Sequence, residues 1–377
     1  MKWFGRKSAR GDARPALSRA GTAGGFGGGF GSAFGEWPQS YEAQLREAYC
    51  ANPIAQRAVK LVAQAVGEAP LEASDPALAA LVAARSGGQP LLEVLAAQLL
   101  LHGNGYVQLL CDESGMVREL YALRPERVTV EADAGGWPSA YRYRVGEHVA
   151  RLMAEDAAGR AELVHVRSFH PADDHYGLGC LGAAAGAVAI HNAATRWNKA
   201  LLDNAARPSG ALVYDPGDGA ALSGEQFARL KREMEGAFAG AANAGRPMLL
   251  EGGLKWQAMS LTPADMDFVG LKAAAAREIA LAFGVPPMLV GLPGDNAYAN
   301  YREANRALWR STVLPLAGTI LASLSQALAG WFDGARLAVD LNQVPVLAEE
   351  RERLWRSVNA ADFLTDEEKR AMVGVKR

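Results

Sequence analysis

The sequence predicts an α+β fold, in which long helices and a small group of β-strands occupy separate stretches of the chain. Apolar residues recur at helical spacing before residue 102 and again throughout the second half of the sequence. Between them, short runs rich in aromatic and β-branched residues alternate with turn signals such as ESG and AGGWPS. The chain has 377 residues, of which 50% are hydrophobic and 21% charged, so it can bury a sizeable core.

Residues 1–40 are predicted to form a flexible arm. They combine scattered Lys and Arg with the tract GTAGGFGGGFGSAFG, whose glycines allow more backbone conformations than the few apolar side chains can order. The basic start lacks the apolar run of a secretory signal peptide, so we expect no export by that route. Cys50, Cys111 and Cys180 form no CxxC pair, which argues against a disulfide framework or a zinc ribbon and favours a reducing compartment.

Residues 41–180 predict two helices followed by strands. The first helix follows Asn52-Pro53, and the second covers residues 90–101 and ends at the sequence HGNG. The strand-like runs are short and are separated by turn residues, so we expect them to pair as one small antiparallel sheet. These runs are residues 106–111, 120–123, 127–131, 141–145 and 162–169.

A long helix and a compact α/β insert follow. The helix is predicted over residues 181–206 and ends at Arg207-Pro208, because the residue before a proline is pushed out of the helical region. In the insert, Ser223 begins a helix over residues 223–238, and Gln226 completes its capping pair. Strand-like segments flank this helix, at residues 210–214 and 247–261.

The remainder of the chain is predicted to be mainly helical. A helix over residues 263–283 begins after the capping residue Thr262, and a longer helix over residues 301–332 is expected to bend at Pro315. A strand-like LAVDL, a charged helix over residues 346–358 and a last helix starting at Thr365 complete the chain. The uncharged residues 311–332 are long enough to span a membrane, but their helical Leu and Val spacing favours a packed amphipathic helix.

A nucleotide-dependent enzyme is the first alternative function. GLGCLG at residues 177–182 fits the pattern GxGxxG and opens a helix. A dinucleotide site requires a strand that runs directly into the first glycine, and none is predicted there. We therefore expect these glycines to let the helix begin close to a neighbouring segment.

A metal or catalytic centre is the second alternative. One cluster contains residue types that bind transition metals: His165, His170, Asp173, Asp174 and His175. The spacing of this cluster matches neither a helix face nor a strand face. A separate candidate is the carboxylate pair Asp265 and Asp267, but acidic residues in a first helical turn are better explained by the helix dipole. We predict no catalytic residue, no metal and no cofactor.

Two polar stripes on the long helices allow two interpretations. Each stripe can be a solvated face, or both can line a water-filled passage that only an oligomer could supply. A formal charge of −2 and a pI of about 6.3 disfavour a dedicated sequence-reading DNA-binding protein, which is usually strongly basic. The stripes consist of His191, Thr195, Arg196, Lys199 and Asp203 on the first helix, and of Asp265, Lys272 and Glu278 on the second.

In the order of its motifs, the chain resembles the portal proteins of long-tailed, siphovirus-type bacteriophages and of gene-transfer agents. The resemblance covers most of the chain, from about residue 49 to residue 374. It rests on YCANPIAQRAVKLVAQAVGEAPL, LLLHGNGYVQL, LYALRPERVTV, ELVHVRSF with DDHYGLGCLGAA, NAARPSGAL, GRPMLLEGGLKWQAMSLTPADMDF, REIALAFGVPPMLVG with NAYANYREANRALWRSTVLPL, and FLTDEEKRAMVG.

This resemblance implies a portal fold with long stem and wing helices, a small β-rich wing sheet and an α/β clip insert. It implies a dodecameric ring at the portal vertex of a virion or virus-like particle, assembled in the host cytoplasm. Double-stranded DNA would pass through the ring without being read. The protein partners would be terminase, head-tail adaptor proteins and the major capsid protein, with no membrane and no enzymatic activity.

The resemblance also implies a division of the chain. The regions are the arm (1–40), the wing (41–180), the first stem helix (181–206), the clip (207–261), the second stem helix (262–284), the tunnel loop (285–300), the long wing helix (301–333), and the C-terminal wing strand and crown helices (334–377). The tunnel loop would contact DNA through Gly291, Leu292, Pro293, Gly294, Asp295 and Asn296. The channel-facing stem candidates are His191, Thr195, Arg196, Lys199, Asp265 and Lys272, and the clip candidates for partner binding are Glu225, Arg229, Arg232 and Glu233.

Overall fold

The computed structural model describes Leu17 and residues 40–156, 158–203, 210–214, 223–238, 254–258, 267–292 and 298–374. The first helical layer is made of four helices: α1 (Tyr41–Leu45, continued by a π-helical turn, Arg46–Cys50), α2 (Pro53–Gly67), α3 (Pro76–Ala83) and α4 (Leu91–His102). Asn52 caps α2 by accepting hydrogen bonds from two backbone N–H groups of its first turn. The predicted positions of α2 and α4 are confirmed, whereas α3 was not predicted.

Close packing of α2 against α4 depends on one glycine. A Cβ atom at Gly67 would lie 2.8 Å from the Cβ of Glu93, so a larger residue would force the two helices apart. Three short strands lie around α3: β1 (Leu71–Ala73), β2 (Arg85–Ser86) and β3 (Gln89–Pro90). The strands β2 and β3 form a hairpin that leads into α4.

The wing strands form two antiparallel sheets, where one was predicted. The strands are β4 (Asn104–Cys111), β5 (Val117–Leu123), β6 (Val128–Ala132), β7 (Pro138–Val145), β8 (His148–Met153) and β9 (Leu163–Arg167), in the orders β5-β4-β9 and β6-β7-β8. A 3₁₀ turn at Pro125–Arg127 separates β5 from β6, so the chain starts a second sheet there. The prediction of one sheet is wrong because alternation identifies strands and not their partners.

The second sheet packs on the first through aromatic and aliphatic side chains. Tyr106 of β4 and Tyr141 of β7 meet edge to face with ring centroids 5.9 Å apart. The small core between the sheets is completed by Leu123, Val128, Val130 and Leu163. This core is separate from the main hydrophobic core, which the helices and the first sheet share.

The long helix α5 (Leu181–Asp203) leads into the predicted insert. The insert contains β10 (Gly210–Tyr214), α6 (Gly224–Phe238) and β11 (Leu254–Ala258), and β10 pairs with β11 in antiparallel register. Ser223 and Gln226 exchange side-chain to backbone hydrogen bonds, which confirms the predicted cap of α6. The end predicted for the first helix, residues 204–206, and the start of the second strand, residues 247–253, lie outside the described residues.

The second long helix, α7 (Phe268–Ala282), starts later than predicted. Asp267 is its N-cap, with a left-handed backbone at φ 40°, and its side chain accepts a hydrogen bond from the Gly270 N–H. A left-handed residue cannot belong to the helix, so the predicted start at residue 263 is corrected to Phe268. The predicted cap Thr262 lies outside the described residues.

The long helix after the loop is one rod with a π-helical insertion. It comprises α8 (Tyr298–Leu308), a π-helical turn at Trp309–Val313 and α9 (Leu314–Leu328). Pro315 cannot donate a backbone hydrogen bond and crowds the preceding turn. The wider π turn comes directly before it, which places the irregularity where the sequence predicted a bend.

The C-terminal elements are β12 (Leu337–Val339), α10 (Ala348–Asn359) and α11 (Asp366–Met372). The strand β12 pairs with β1, so the end of the chain is tied to the N-terminal helices. The predicted capping box of α11 is present: Thr365 and Glu368 bond each other's backbone N–H groups.

Before Ser40, the N-terminal arm is described at one residue. Leu17 is half-buried, and its backbone N–H donates a hydrogen bond to the Gly135 carbonyl oxygen at 3.1 Å. The flexibility of the arm as a whole stays a prediction. The other arm residues up to residue 39 lie outside the described residues.

Candidate channel helices and partner surfaces

The two predicted stem helices lie side by side. The rings of Trp197 on α5 and Phe268 at the start of α7 are stacked, with centroids 6.0 Å apart. The buried face of α7 consists of Ala275, Ala276, Ile279 and Ala280. Small side chains allow two helices to approach closely, so the sequence favours a tight pair here.

His191 is buried against the wing and cannot line a passage, which corrects its assignment as a channel-facing residue. It is only 4% exposed, and its Nδ1 atom lies 3.1 Å from the Nδ2 atom of Asn52. The same Asn52 amide donates to the Asn192 Oδ1 atom at 2.9 Å. Burial, and secondarily the positive charge of Lys272, lower the pKa of His191, which favours the neutral ring.

The other candidates on α5, Thr195, Arg196 and Lys199, are exposed, and both cationic side chains have a carboxylate nearby. The Lys199 Nζ atom lies 2.6 Å from the Asp203 Oδ2 atom, and Arg196 Nη1 lies 3.6 Å from Glu47 Oε2. The Thr195 hydroxyl donates to the His191 carbonyl oxygen on its own helix. On the second helix Lys272 is half-buried, and Asp265 lies outside the described residues.

The base of the predicted tunnel loop is anchored to the long helix. Gly284 ends α7 with φ 66°, and its carbonyl oxygen accepts a hydrogen bond from the Thr312 hydroxyl at 2.7 Å. A 3₁₀ turn at Pro287–Val290 follows and buries Leu289. Of the DNA-contact candidates, Gly291 is exposed with φ 81° and Leu292 is half-buried, whereas Pro293, Gly294, Asp295 and Asn296 lie outside the described residues.

The predicted partner surface of the clip lies on the exposed side of α6. Glu225, Arg229 and Arg232 are exposed, and Phe227, on another face of the same helix, is 61% exposed. The side chain of Glu233 lies outside the described residues. Arginine is one of the residue types enriched at protein interfaces.

The glycine-rich segment at residues 177–182 packs against the end of α4. A Cβ atom at Gly177 would overlap the Gly103 carbonyl oxygen, and one at Gly179 would overlap the Leu101 carbonyl oxygen. The Cys180 N–H donates to the Leu100 carbonyl oxygen at 2.8 Å. These glycines therefore permit a close backbone approach before α5 begins, as the sequence predicted, and the alternative of a cofactor site is not favoured.

The histidines considered as metal ligands have other partners. His165 stacks on Tyr106 with ring centroids 4.3 Å apart, and its Nε2 atom lies 2.9 Å from the Asn104 Oδ1 atom. His175 donates to the Gly136 carbonyl oxygen, and His170 accepts a hydrogen bond from a backbone N–H of its own turn. In the part of the chain that the structure describes, no group of three His, Cys, Asp or Glu side chains could hold a metal ion.

By length and composition alone, residues 300–328 form a helix that could cross a membrane. In the structure its apolar residues Ile320, Leu321, Leu324 and Leu328 are fully buried. The helix α9 contacts α4, β9 and β12 in the protein interior. This agrees with the predicted packed amphipathic helix.

Two polar networks were not predicted. One is the Asn52 junction between α2 and α5. The other is an ion-pair ladder in which Arg306 of α8, 8% exposed, lies 3.0 Å from Glu349 and 3.4 Å from Glu350 of α10. The regular Arg spacing at residues 302, 306 and 310 on one helix face was the available signal.

Comparison with known proteins gives consistent results. A family model described as "Phage portal protein" matches residues 53–374. A Rickettsia felis protein described as uncharacterized is 39% identical over 346 residues, which are 87% of this chain and 88% of that protein. The neck of a native gene transfer agent particle, computed with C12 symmetry, contains a chain that is 49% identical with a TM-score of 0.70, over 90% of this chain and 94% of that chain.

The fold likeness extends to a distant relative. A HK97 family phage portal protein from Corynebacterium diphtheriae is 20% identical with a TM-score of 0.59, over 83% of this chain and all of that chain. At this identity the likeness concerns the fold, which is the predicted mixture of long helices and small sheets. The match over residues 53–374 and the near-complete overlap with a relative at 49% identity show that the chain belongs to the phage portal protein family.

Proposed function

We propose that this chain is the protomer of a ring-shaped portal at one capsid vertex, through which double-stranded DNA enters and leaves. The observation that carries this proposal is the 49% identity, over 90% of the chain, to a component of a particle neck computed with C12 symmetry. Identity at this level and coverage supports the same architecture in this chain. Twelve copies arranged head to tail around an axis would close such a ring.

Exposed apolar side chains on α7 support assembly into a ring. Val269 is 83% exposed and Leu281 is 77% exposed in the isolated protomer. Large apolar side chains this exposed on a protomer are candidates for contact with another molecule. We infer that a neighbouring subunit covers them, which would place the polar face of α5 toward the axis.

The charges on α5 suit a passage for a sliding polyanion. Each lysine or arginine that binds a phosphate raises the affinity for DNA. The carboxylates near Arg196 and Lys199 compete for those cations, and the chain as a whole carries a formal charge of −2. A channel lined by Thr195, Arg196, Lys199, Lys272 and Asp265 would therefore hold DNA weakly and without reading its sequence.

The tunnel loop is proposed to contact the moving duplex. Its base is fixed by the Gly284–Thr312 hydrogen bond and by the 3₁₀ turn at Pro287–Val290. Residues 285–300 contain no Lys or Arg. We infer that Gly291 to Asn296 offer backbone and small polar groups to DNA while the loop base stays in place.

The clip and the rest of the ring surface would meet other proteins. The exposed face of α6, with Glu225, Arg229, Arg232 and Glu233, is proposed to bind terminase and afterwards the head-tail adaptor proteins. The wing would contact the major capsid protein. Nucleotide hydrolysis would belong to the terminase motor, so we expect no ATP turnover by the purified chain.

Complementation of a defective particle tests the proposed function. Particles assembled in cells without a functional copy of this chain should lack DNA, and expression of the full chain should restore DNA-filled particles. Light scattering of the purified chain should give the mass of a multimer. Normal DNA content in particles that lack the chain would overturn the proposal.

A further inference from the structure

The N-terminal arm touches the wing at a specific main-chain site. Leu17 lies against the turn between β6 and β7, where its N–H donates to the Gly135 carbonyl oxygen at 3.1 Å. This turn belongs to the second sheet, far along the sequence from the arm. The contact is independent of the residues assigned to the channel, the loop and the clip.

Hydrogen bonds within the turn leave two of its carbonyl groups available as acceptors. The Asp133 side chain accepts hydrogen bonds from the Gly135 N–H at 2.8 Å and from the Trp137 N–H at 2.9 Å. The backbone of Asp133 bonds both the Trp137 carbonyl oxygen and the Gly136 N–H. The N–H groups of Asp133, Gly135, Gly136 and Trp137 are therefore used within the turn, and the carbonyl oxygens of Gly135 and Gly136 remain as acceptors.

Both of these carbonyl oxygens accept a hydrogen bond from outside the turn. The first accepts from Leu17, and the second accepts from the His175 Nε2 atom at 2.6 Å. His175 is 6% exposed, and its own backbone N–H is held by the Asp173 carboxylate at 2.7 Å. The turn is thus fixed on one side by the wing, which leaves its other carbonyl in a defined position for the arm.

Gly136 is suited to this contact for two reasons. Its φ of 83° is in the left-handed region that favours glycine. A Cβ atom at this position would also overlap the Leu17 carbonyl oxygen. Gly146, in the next turn of the same sheet, has φ 60° but no described atom within 4 Å of the place of its Cβ.

The charges of the arm complement this region. The first twenty residues contain six basic residues and one acidic residue, Asp12. Asp133 lies in the turn, and Asp173 and Asp174 directly precede His175. Basic groups around Leu17 would be attracted to these carboxylates over a range of about one Debye length, ~10 Å in moderate salt.

From these observations we propose that the turn between β6 and β7 is the docking site for the N-terminal arm of the same chain, anchored through the main chain of Leu17. The arm then has a fixed point on the wing at Leu17. The occupant is a main-chain segment of this chain with basic residues on both sides of Leu17 in the sequence. The proposal does not depend on the portal function.

Proteolysis of the assembled full-length protein tests the docking. Tryptic cleavage after Arg19 should be about fivefold faster in the Gly136→Ala variant than in the wild type, the factor expected from losing about one net hydrogen bond. The matched control is Gly146→Ala, which imposes similar backbone strain in the same sheet without touching the arm. It should leave the cleavage rate unchanged. Equal rates in the wild type and Gly136→Ala, or equal acceleration in both variants, would overturn the proposal.

Hydrogen exchange gives a second readout that does not require a variant. The Leu17 amide should exchange at least severalfold more slowly than an unprotected amide, because it is bonded to the Gly135 carbonyl oxygen. Leu17→Pro removes that donor and should accelerate cleavage after Arg19, whereas Leu17→Ala keeps it. An unprotected Leu17 amide in the wild type would contradict the docking.

Discussion

Asn52 is the residue whose replacement tests the junction between wing and stem most sharply. Its Oδ1 atom caps α2 by accepting from the Ile54 and Ala55 N–H groups at 3.0 and 3.1 Å. Its Nδ2 atom donates toward His191 and Asn192 on α5, and the residue is 1% exposed. One side chain therefore holds the start of a wing helix and the middle of a stem helix.

The expected cost of Asn52→Ala follows from these bonds. Loss of an N-cap destabilises a protein by about 1 kcal/mol. The His191 Nδ1 and Asn192 Oδ1 atoms would each lose their Asn52 donor in a buried site, at about 1 kcal/mol or more apiece. The free energy of unfolding should therefore fall by about 3 kcal/mol.

Asp75→Ala is the matched control, because Asp75 caps α3 by accepting from the Ala77 N–H at 2.7 Å at an exposed site. It should cost only the cap, about 1 kcal/mol. Urea unfolding of both variants and the wild type at one protein concentration measures the difference, since the stability of an oligomer depends on concentration. If Asn52→Ala costs no more than Asp75→Ala, the junction contributes nothing to stability.

Three further predictions concern the loop, the clip and the response to acid. Deleting residues 293–295 should preserve assembly but impair DNA packaging or retention, because the loop base is anchored without them; normal retention would make the loop a connector only. Reversing the charge of Arg229 and Arg232 should leave rings intact and abolish packaging, whereas Lys231→Glu, on another face of α6, should not; equal effects would remove this face from the interface. Burial, with a smaller contribution from nearby positive charges, lowers the pKa of His165 to about 3, so folding favours its neutral ring. Stability should be lost as pH falls from about 6.5 toward 3, less steeply in His165→Gln; equal slopes in acid unfolding would refute this.

The helix starts were predictable because capping is local. Asn52, Ser223 and Thr365 each bond backbone N–H groups within three residues, so the pattern and the structure coincide. Packing against distant segments leaves no such local mark. The local pattern therefore predicted α2, α6 and α11. The helix α3 was missed although Asp75 caps it, and β8, which has no β-branched run, was missed as well.

The candidate site was predicted less completely than the fold. Helical spacing places His191, Thr195 and Lys199 on one side of α5, but it does not show what covers that side. Asn52, just before α2, contacts His191 and Asn192, so one member of the stripe is buried while Thr195 and Lys199 are exposed. Pairing of the wing strands failed as a prediction for the same reason, since partners come from other parts of the chain.

The most direct test of the central claim is electron cryomicroscopy of the purified full-length chain. We predict closed rings with a central opening wide enough for duplex DNA, lined by α5 and with Val269 and Leu281 of α7 covered by the neighbouring subunit. Monomers across a range of concentrations and salts, or rings with α5 on the outer rim, would contradict the account.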